Sequence, residues 1–311
     1  MAFRAILIVF CIHEHINSYL CVMKRIISLV LTGAVFFACN RQADHDSRKQ
    51  ITVSILPQKY FVERIAGDRF SVHVMVSPGS NPENYEFSPV DLKNAANSEL
   101  YFKAGYIDFE RVLADKLSSI NPRTRVIDLS EGNHLIRCSE KDEHHQHAGG
   151  IDPHTWLSPL EVKIQAKNIL NALVGIDPPD SVFFKSNYYL FLKDLDSLDK
   201  VISSGLSNLK TRKFIIYHPA LTYYARDYQL EQFSIEIDGK SPSPRDIKNI
   251  IDMAKKEKIS VVFVQKQFDT HTAQLISDEI GGTILPFDPL NLNWKENMLE
   301  ITSGLSKALR K

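Results

Sequence analysis

The sequence is poor in paired cysteines and has no net charge. Its 311 residues include four cysteines, Cys11, Cys21, Cys39 and Cys138, and none of them forms a CxxC pair. The pattern therefore indicates neither a zinc ribbon nor a thioredoxin-type redox site. Lys and Arg together number 37, as do Asp and Glu, so the net charge is zero. This balance argues against a nucleic-acid partner, which needs a clustered basic excess.

Long apolar runs, internal repeats and an HExxH motif are also missing from the body of the chain. After residue 40 no apolar run approaches the roughly 20 residues of a membrane-spanning helix. The composition, 44% hydrophobic and 24% charged, is that of a globular protein. The length is sufficient for two domains of ordinary size.

The N-terminal region is typical of an export signal. From Met23 a basic segment is followed by an apolar run of about a dozen residues, and Ala38 then precedes Cys39. We therefore expect a signal region over 1–38, a lipid on Cys39 and a polar tether over 39–50. A plain signal peptide with an incidental cysteine is the alternative. Either interpretation places the function in the periplasm, and the first makes the lipid the only membrane attachment.

The rest of the chain alternates β-rich runs with helical patterns, which predicts an α/β fold of two Rossmann-like lobes with parallel sheets. Apolar residues recur every three or four positions through 181–210, a longer helix than most globular proteins contain. We expect this helix to join an N-terminal lobe over 51–180 to a C-terminal lobe over 211–311. The expected strands lie at 51–56, 71–76, 100–103, 125–129, 214–217, 233–237, 261–264 and 283–287.

Potential metal ligands follow several of these strands, and open α/β sheets bind their ligands beyond the carboxyl ends of the strands. Glu83 and Asp288 come after the second and last expected strands, and His154 and His218 after the fourth and fifth. Taken singly, each residue has an ordinary structural explanation as a cap or turn residue. Together, two imidazoles and two carboxylates in a cleft between the lobes would suit Zn²⁺, Mn²⁺ or Fe²⁺.

Longer stretches resemble the zinc- and manganese-binding solute-binding proteins of ABC transporters, the ZnuA/TroA family (cluster A-I). The resemblance implies two lobes joined by one rigid helix, a metal between them, and delivery of the ion to a membrane permease. It implies His154 and His218 as imidazole ligands and Asp288 as a carboxylate ligand. The matching segments run in family order at 76–91, 152–159, 217–224, 239–244, 264–268 and 286–290.

The chain departs from the family pattern at one position, because Glu83 stands where most members have His. If Glu83 ligates, the set of two His, one Glu and one Asp is similar in type to the manganese sites of the family. Alternatively, Glu83 is a bystander, and a water or a loop His completes the site.

A His-rich loop over 134–150 favours zinc. His144, His145 and His147 lie beside acidic residues, which is a metal-binding composition, and a solvated loop is the alternative. The loop resembles that of zinc-type family members, and His prefers Zn²⁺ to Mn²⁺. We therefore expect a monomeric zinc carrier, with manganese as the alternative cargo, and no enzyme activity.

Two other classes of function stay open on the sequence alone. A periplasmic metallohydrolase would use Glu86 or Asp152 as general base, but it needs an open coordination position that four protein ligands do not leave. A surface adhesin is a role that some members of the resembled family have, and the sequence specifies no partner surface for it.

Overall fold

The computed structural model describes residues 48–137, 150–236, 240–268 and 270–310. The predicted signal region, Cys39, Cys138 and the loop residues His144, His145 and His147 lie outside these ranges. Residues 48–311 form one compact unit that contains two sheets. Within the described ranges, no helix is both long enough and apolar enough to cross a membrane.

The first sheet has four parallel strands in the order β2-β1-β3-β4. Each strand is four residues long, and the central strands β1 and β3 are the most buried, as expected when helices cover both faces. Its strands and helices are β1 (Gln50–Val53), α1 (Leu56–Ala66), β2 (Ser71–Val74), α2 (Pro89–Ala96), β3 (Leu100–Lys103), α3 (Asp108–Ile120), β4 (Arg125–Asp128) and α4 (Pro159–Ile176).

The second sheet repeats this arrangement in the order β6-β5-β7-β8, again with parallel pairing throughout. Every residue of β7 is buried, in agreement with its wholly apolar start. The elements are β5 (Lys213–Ile216), α6 (Thr222–Asp227), β6 (Glu231–Ser234), α7 (Pro244–Glu257), β7 (Val261–Gln265), α8 (His271–Ile280), β8 (Thr283–Phe287) and α9 (Trp294–Leu309).

Between the sheets runs the long helix α5 (Ser181–Gly205), 25 residues in length. It packs against α1 and α4 from the first lobe and against α9 from the second. The apolar face that the sequence predicts is the face that is buried: Phe184, Tyr188, Phe191, Leu195, Leu198 and Ile202. The expected fold, two α/β lobes with parallel sheets joined by one long helix, is confirmed.

Two buried tryptophans connect the lobes beside the long helix. The indole nitrogen of Trp156 donates a hydrogen bond to the carbonyl oxygen of Pro289, at 2.9 Å. The indole nitrogen of Trp294 donates to the carbonyl oxygen of Trp156, at 2.7 Å. Phe61 and Trp294 meet edge to face with ring centroids 5.1 Å apart. Buried aromatic rings with satisfied N–H groups hold the facing loops of the two lobes in a fixed relation.

One strand boundary differs from the sequence-based expectation in a way that affects the site. The run 233–237 is apolar enough to predict a strand, but β6 spans Glu231–Ser234 instead. Gln229 takes a positive φ of 55° at the end of α6, and the chain pairs with β5 immediately afterwards. Glu236 therefore lies beyond the carboxyl end of the strand, on the side where ligands gather.

Candidate metal centre

His154 is positioned by the segment that leads into a short 3-10 turn at Thr155–Leu157. An isolated antiparallel bridge joins Arg137 to Ile151, just before this segment. Asp152 Oδ1 accepts a hydrogen bond from the backbone N–H of His154 and lies 2.9 Å from its ring Nδ1. Because Nδ1 donates to the carboxylate, Nε2 of the neutral ring keeps its lone pair for a ligand.

Asp152, the residue behind His154, is itself held in place through its backbone. Tyr223 of α6 donates its hydroxyl proton to the carbonyl oxygen of Asp152 at 2.7 Å, across from the other lobe. Burial alone would raise the pKa of Asp152, but the neighbouring His154 outweighs this and lowers it. Asp152 therefore stays ionised as a hydrogen-bond acceptor for the ring.

His218 follows β5 and is fixed through both its backbone and its ring. Gln265 accepts from the backbone N–H of His218 at 3.2 Å and donates to its carbonyl oxygen. The ring stacks on Phe268, and its Nδ1 lies 2.8 Å from Glu236 Oε2. As with His154, a buried carboxylate orients the imidazole so that Nε2 faces away from it.

Glu83 approaches from the first lobe on a 3-10 turn, Pro82–Asn84. Asn81 begins the turn, and its side-chain oxygen accepts the backbone N–H of Glu83 at 3.0 Å. Proline at the first position suits such a turn because it lacks an N–H that would otherwise need a partner. The turn presents the Glu83 carboxylate to His218 of the opposite lobe.

The three side chains converge on one point between the lobes. His154 Nε2 and His218 Nε2 lie 3.3 Å apart, and Glu83 Oε1 lies 3.2 Å from His218 Nε2. All three ligand atoms are within 4.8 Å of one another. Tetrahedral Zn²⁺ with bonds of about 2.0–2.1 Å separates its ligand atoms by about 3.3–3.4 Å. The spacing of the cluster thus fits a single first-row metal ion.

A small cavity of about 20 Å³ contains the point of convergence. It is lined by Glu83, by both imidazoles and by Gln267 and Phe268, among others. This volume holds about one water-sized particle, which is enough for one bare ion.

Asp288, the fourth ligand expected from the sequence, lies outside the group formed by the other three. It follows β8 as predicted, but among the described residues it is not a member of the group whose ligand atoms lie within 4.8 Å of one another. Its Oδ1 accepts hydrogen bonds from Gln267 Nε2 at 2.9 Å and from the backbone N–H of Leu290 at 3.0 Å. The carboxylate is thereby engaged in the turn after the strand, and ligation by Asp288 stays a prediction.

Two contributors to the site carry no assigned role in the sequence analysis, Glu236 and Gln267. Neither residue has a signal in the sequence. Phe233, Ile235 and Ile237 alternate with Ser234 and Glu236, a pattern that predicts Glu236 on the solvent face of a strand. In the structure Glu236 is instead buried beside His218.

The fold and the site together define a two-lobed α/β binding protein with a cluster suited to a cation in its cleft. The chain belongs to the family whose model is described as ZnuA, zinc-uptake complex component A periplasmic, which matches residues 51–308. The resemblance drawn from the sequence motifs is confirmed.

Individual relatives agree with this assignment. A putative metal-binding protein of Chlamydia trachomatis is 30% identical over 89% of this chain and 98% of its own length. The zinc-binding lipoprotein AdcA of Streptococcus pneumoniae is 25% identical, and the match covers 93% of this chain but 61% of AdcA. A crystal structure of ZnuA is 36% identical and superposes with a TM-score of 0.78 over 84% of this chain and 99% of that one.

Proposed function

We propose that this protein captures one divalent transition-metal ion, zinc, in the periplasm and delivers it to an ABC-transporter permease. The observation that carries the proposal is the cluster of Glu83, His154 and His218, with ligand atoms 3.2–3.3 Å apart around His218 Nε2. The names of the zinc-binding relatives, ZnuA and AdcA, support it.

Zinc is favoured over manganese by the donors that the structure brings together. Two of the three grouped donors are imidazole nitrogens, and nitrogen donors favour Zn²⁺ over Mn²⁺ in the order of divalent-metal affinities. Each imidazole also has a carboxylate on its other nitrogen, which makes it a stronger base and a better zinc ligand. The Glu83 carboxylate is the one donor of the three that suits manganese as well.

Binding without turnover fits the site better than hydrolysis. A hydrolase needs a free general base beside the metal. Asp152 is engaged with the backbone and ring of His154, and Glu86 is exposed and outside the group of three.

The other parts of the proposal follow from the sequence: a lipid on Cys39 keeps the monomeric carrier at the membrane, and the loop residues His144, His145 and His147 supply weaker zinc sites.

Competition between Zn²⁺ and Mn²⁺ on the protein from residue 40 onward tests the proposal. We expect one tight ion per chain, with Zn²⁺ displacing bound Mn²⁺ at equal concentration. Tighter retention of Mn²⁺ would replace zinc by manganese as the cargo. Absence of any stoichiometric ion would contradict the carrier function itself, and hydrolysis by the zinc-loaded protein would favour an enzyme.

Zinc affinity should fall as the pH is lowered, beginning above the pH expected for an ordinary histidine. Burial of the His218 ring opposes protonation, but the hydrogen bond to Glu236 and the charge of Glu83 outweigh it and raise the pKa of His218. A proton on Nε2 occupies the position of the metal, so a raised pKa means that protons compete at higher pH. Zinc titrations between pH 5 and 8 measure this, and Glu236→Gln should move the fall in affinity to lower pH. An unchanged profile in that variant would contradict the role of Glu236.

A further inference from the structure

Gln267 shares the small cavity with the three grouped ligands, but its two amide atoms have different surroundings. Its Nε2 donates to Asp288 Oδ1 at 2.9 Å. Its Oε1 is buried and has no hydrogen-bond partner within the part of the chain that the structure describes. Gln267 lines the cavity, and Asp288 is not among the lining residues.

The orientation of this amide is dictated by its neighbour. A carboxylate accepts hydrogen bonds and donates none, so Asp288 selects the NH₂ end of Gln267 and would repel the carbonyl end. Asp288 is fixed in turn by the backbone N–H of Leu290, at 3.0 Å. The carbonyl oxygen is thus the polar atom that Gln267 has left to offer to the cavity.

Two glutamines near the end of β7 show the contrast. Gln265 is fully buried, and both ends of its amide are satisfied by the backbone of His218. Gln267 has one satisfied end and, among the described residues, one buried oxygen without a partner. Because an unsatisfied buried oxygen destabilises the protein, its retention beside two imidazoles calls for a ligand that satisfies it.

We propose that the amide oxygen of Gln267 is the fourth donor to the bound ion, and that Asp288 orients Gln267 and does not ligate. The inference rests on the proposed function. Gln267 lines the same cavity of about 20 Å³ as the three grouped ligands, so its side chain lies beside the position of the ion. Two imidazoles, one carboxylate and one neutral amide then give four protein donors, with the charge of a single carboxylate against the doubly charged ion. Such a site neutralises the ion less than two carboxylates would, which favours release to a permease.

Replacing Gln267 by Met tests the donor directly, because Met has similar length and no amide. We expect zinc affinity to fall by about 10²-fold or more, the loss expected for one of four donors. The melting temperature of the metal-free protein should change little, because removal of a buried oxygen without a partner offsets the loss of the hydrogen bond to Asp288. The visible spectrum of the Co²⁺-loaded protein should change with the donor set. Gln274→Met is the matched control, since Gln274 also donates to an aspartate, Asp278, but on the exposed face of α8.

Asp288→Asn, made alone and in the Gln267→Met background, separates the two candidate donors. The amide that replaces the Asp288 carboxylate keeps an oxygen that accepts from Gln267, so we expect a much smaller loss of zinc affinity than in Gln267→Met. The double variant should bind zinc only slightly more weakly than Gln267→Met alone. A loss in Asp288→Asn clearly larger than that in Gln267→Met would make Asp288 the ligand and overturn the inference. Unchanged affinity in Gln267→Met would overturn it as well. A wild-type chain that binds no stoichiometric zinc would instead overturn the proposed function.

Discussion

Replacing both His154 and His218 by Ala should abolish stoichiometric zinc binding. Structural zinc sites gain about 10–16 kcal/mol from binding, which spread over four donors is roughly 2.5–4 kcal/mol, or about 10²–10³-fold in affinity, per ligand. Loss of both imidazoles then weakens binding by about 10⁴–10⁶-fold and leaves a Kd of roughly micromolar to sub-millimolar, too weak for stoichiometric binding at micromolar protein. Glu83 alone among the grouped donors would remain, and a single carboxylate holds zinc weakly.

The fold should survive this double substitution, because both histidines lie beyond strand ends and outside the apolar core. The metal-free variant is expected to lose some stability, since the buried carboxylates of Asp152 and Glu236 lose their imidazole partners. Zinc titration and circular dichroism on the same samples separate the two effects. His271→Ala, at the exposed start of α8, is the matched control and should bind zinc as the unchanged protein does. Retained stoichiometric affinity in the double variant would disprove the site.

The carboxylate–imidazole hydrogen bonds that the double variant loses are also the contacts that orient the site. Each imidazole is held between a carboxylate on Nδ1 and the cleft on Nε2, so the protein has oriented both rings before an ion arrives. The tryptophan hydrogen bonds between the lobes fix the loops that carry them. A site preassembled in this way predicts small lobe movements on binding, because the long helix and the indole contacts resist a wide hinge motion.

The fold was predictable from the sequence because periodicity reports burial directly. The six apolar residues of α5 recur every three or four positions, and no other arrangement than a helix puts them on one face. Alternation of β-rich and helical segments then specifies parallel sheets. Strand ends were less predictable: at β6 the polar residues Glu231 and Gln232 belong to an edge strand, where solvent on one side tolerates them.

The strand-end argument is most direct for His218, whereas Glu83 and His154 reach the cleft through the segments that follow β2 and β4. His218 comes two residues after Ile216, the end of β5, and its place in the cleft follows from the topology alone. Glu236 was missed because the predicted strand 233–237 includes it, whereas β6 ends at Ser234. Asp288 accepts hydrogen bonds from Gln267 and from the backbone of Leu290. Tertiary packing sets these bonds, and no pattern in a single sequence predicts them.

Substitutions of Glu83 should change both the strength and the selectivity of metal binding. Glu83→Gln keeps the shape of the side chain but removes its charge, so we expect affinities for Zn²⁺ and Mn²⁺ to fall by about 10²-fold. Glu83→His supplies a third nitrogen donor, which suits zinc and disfavours manganese, so the Zn²⁺-to-Mn²⁺ affinity ratio should rise by at least about tenfold. The turn that carries residue 83 should persist in both variants, since Asn81 holds it through the backbone N–H.

Paired titrations of both ions on the unchanged protein and the two variants, all at one pH so that proton competition at His218 can be compared, make the comparison. Glu86→Gln removes an exposed carboxylate from the same loop and controls for a general loss of negative charge near the cleft. If Glu83→Gln binds zinc as tightly as the unchanged protein, Glu83 is a bystander and its 3.2 Å approach to His218 Nε2 is an ion pair only. If Glu83 ligates, its carboxylate is the donor that keeps manganese competitive. The two variants should then change selectivity differently, because only Glu83→His introduces a nitrogen that can ligate a metal.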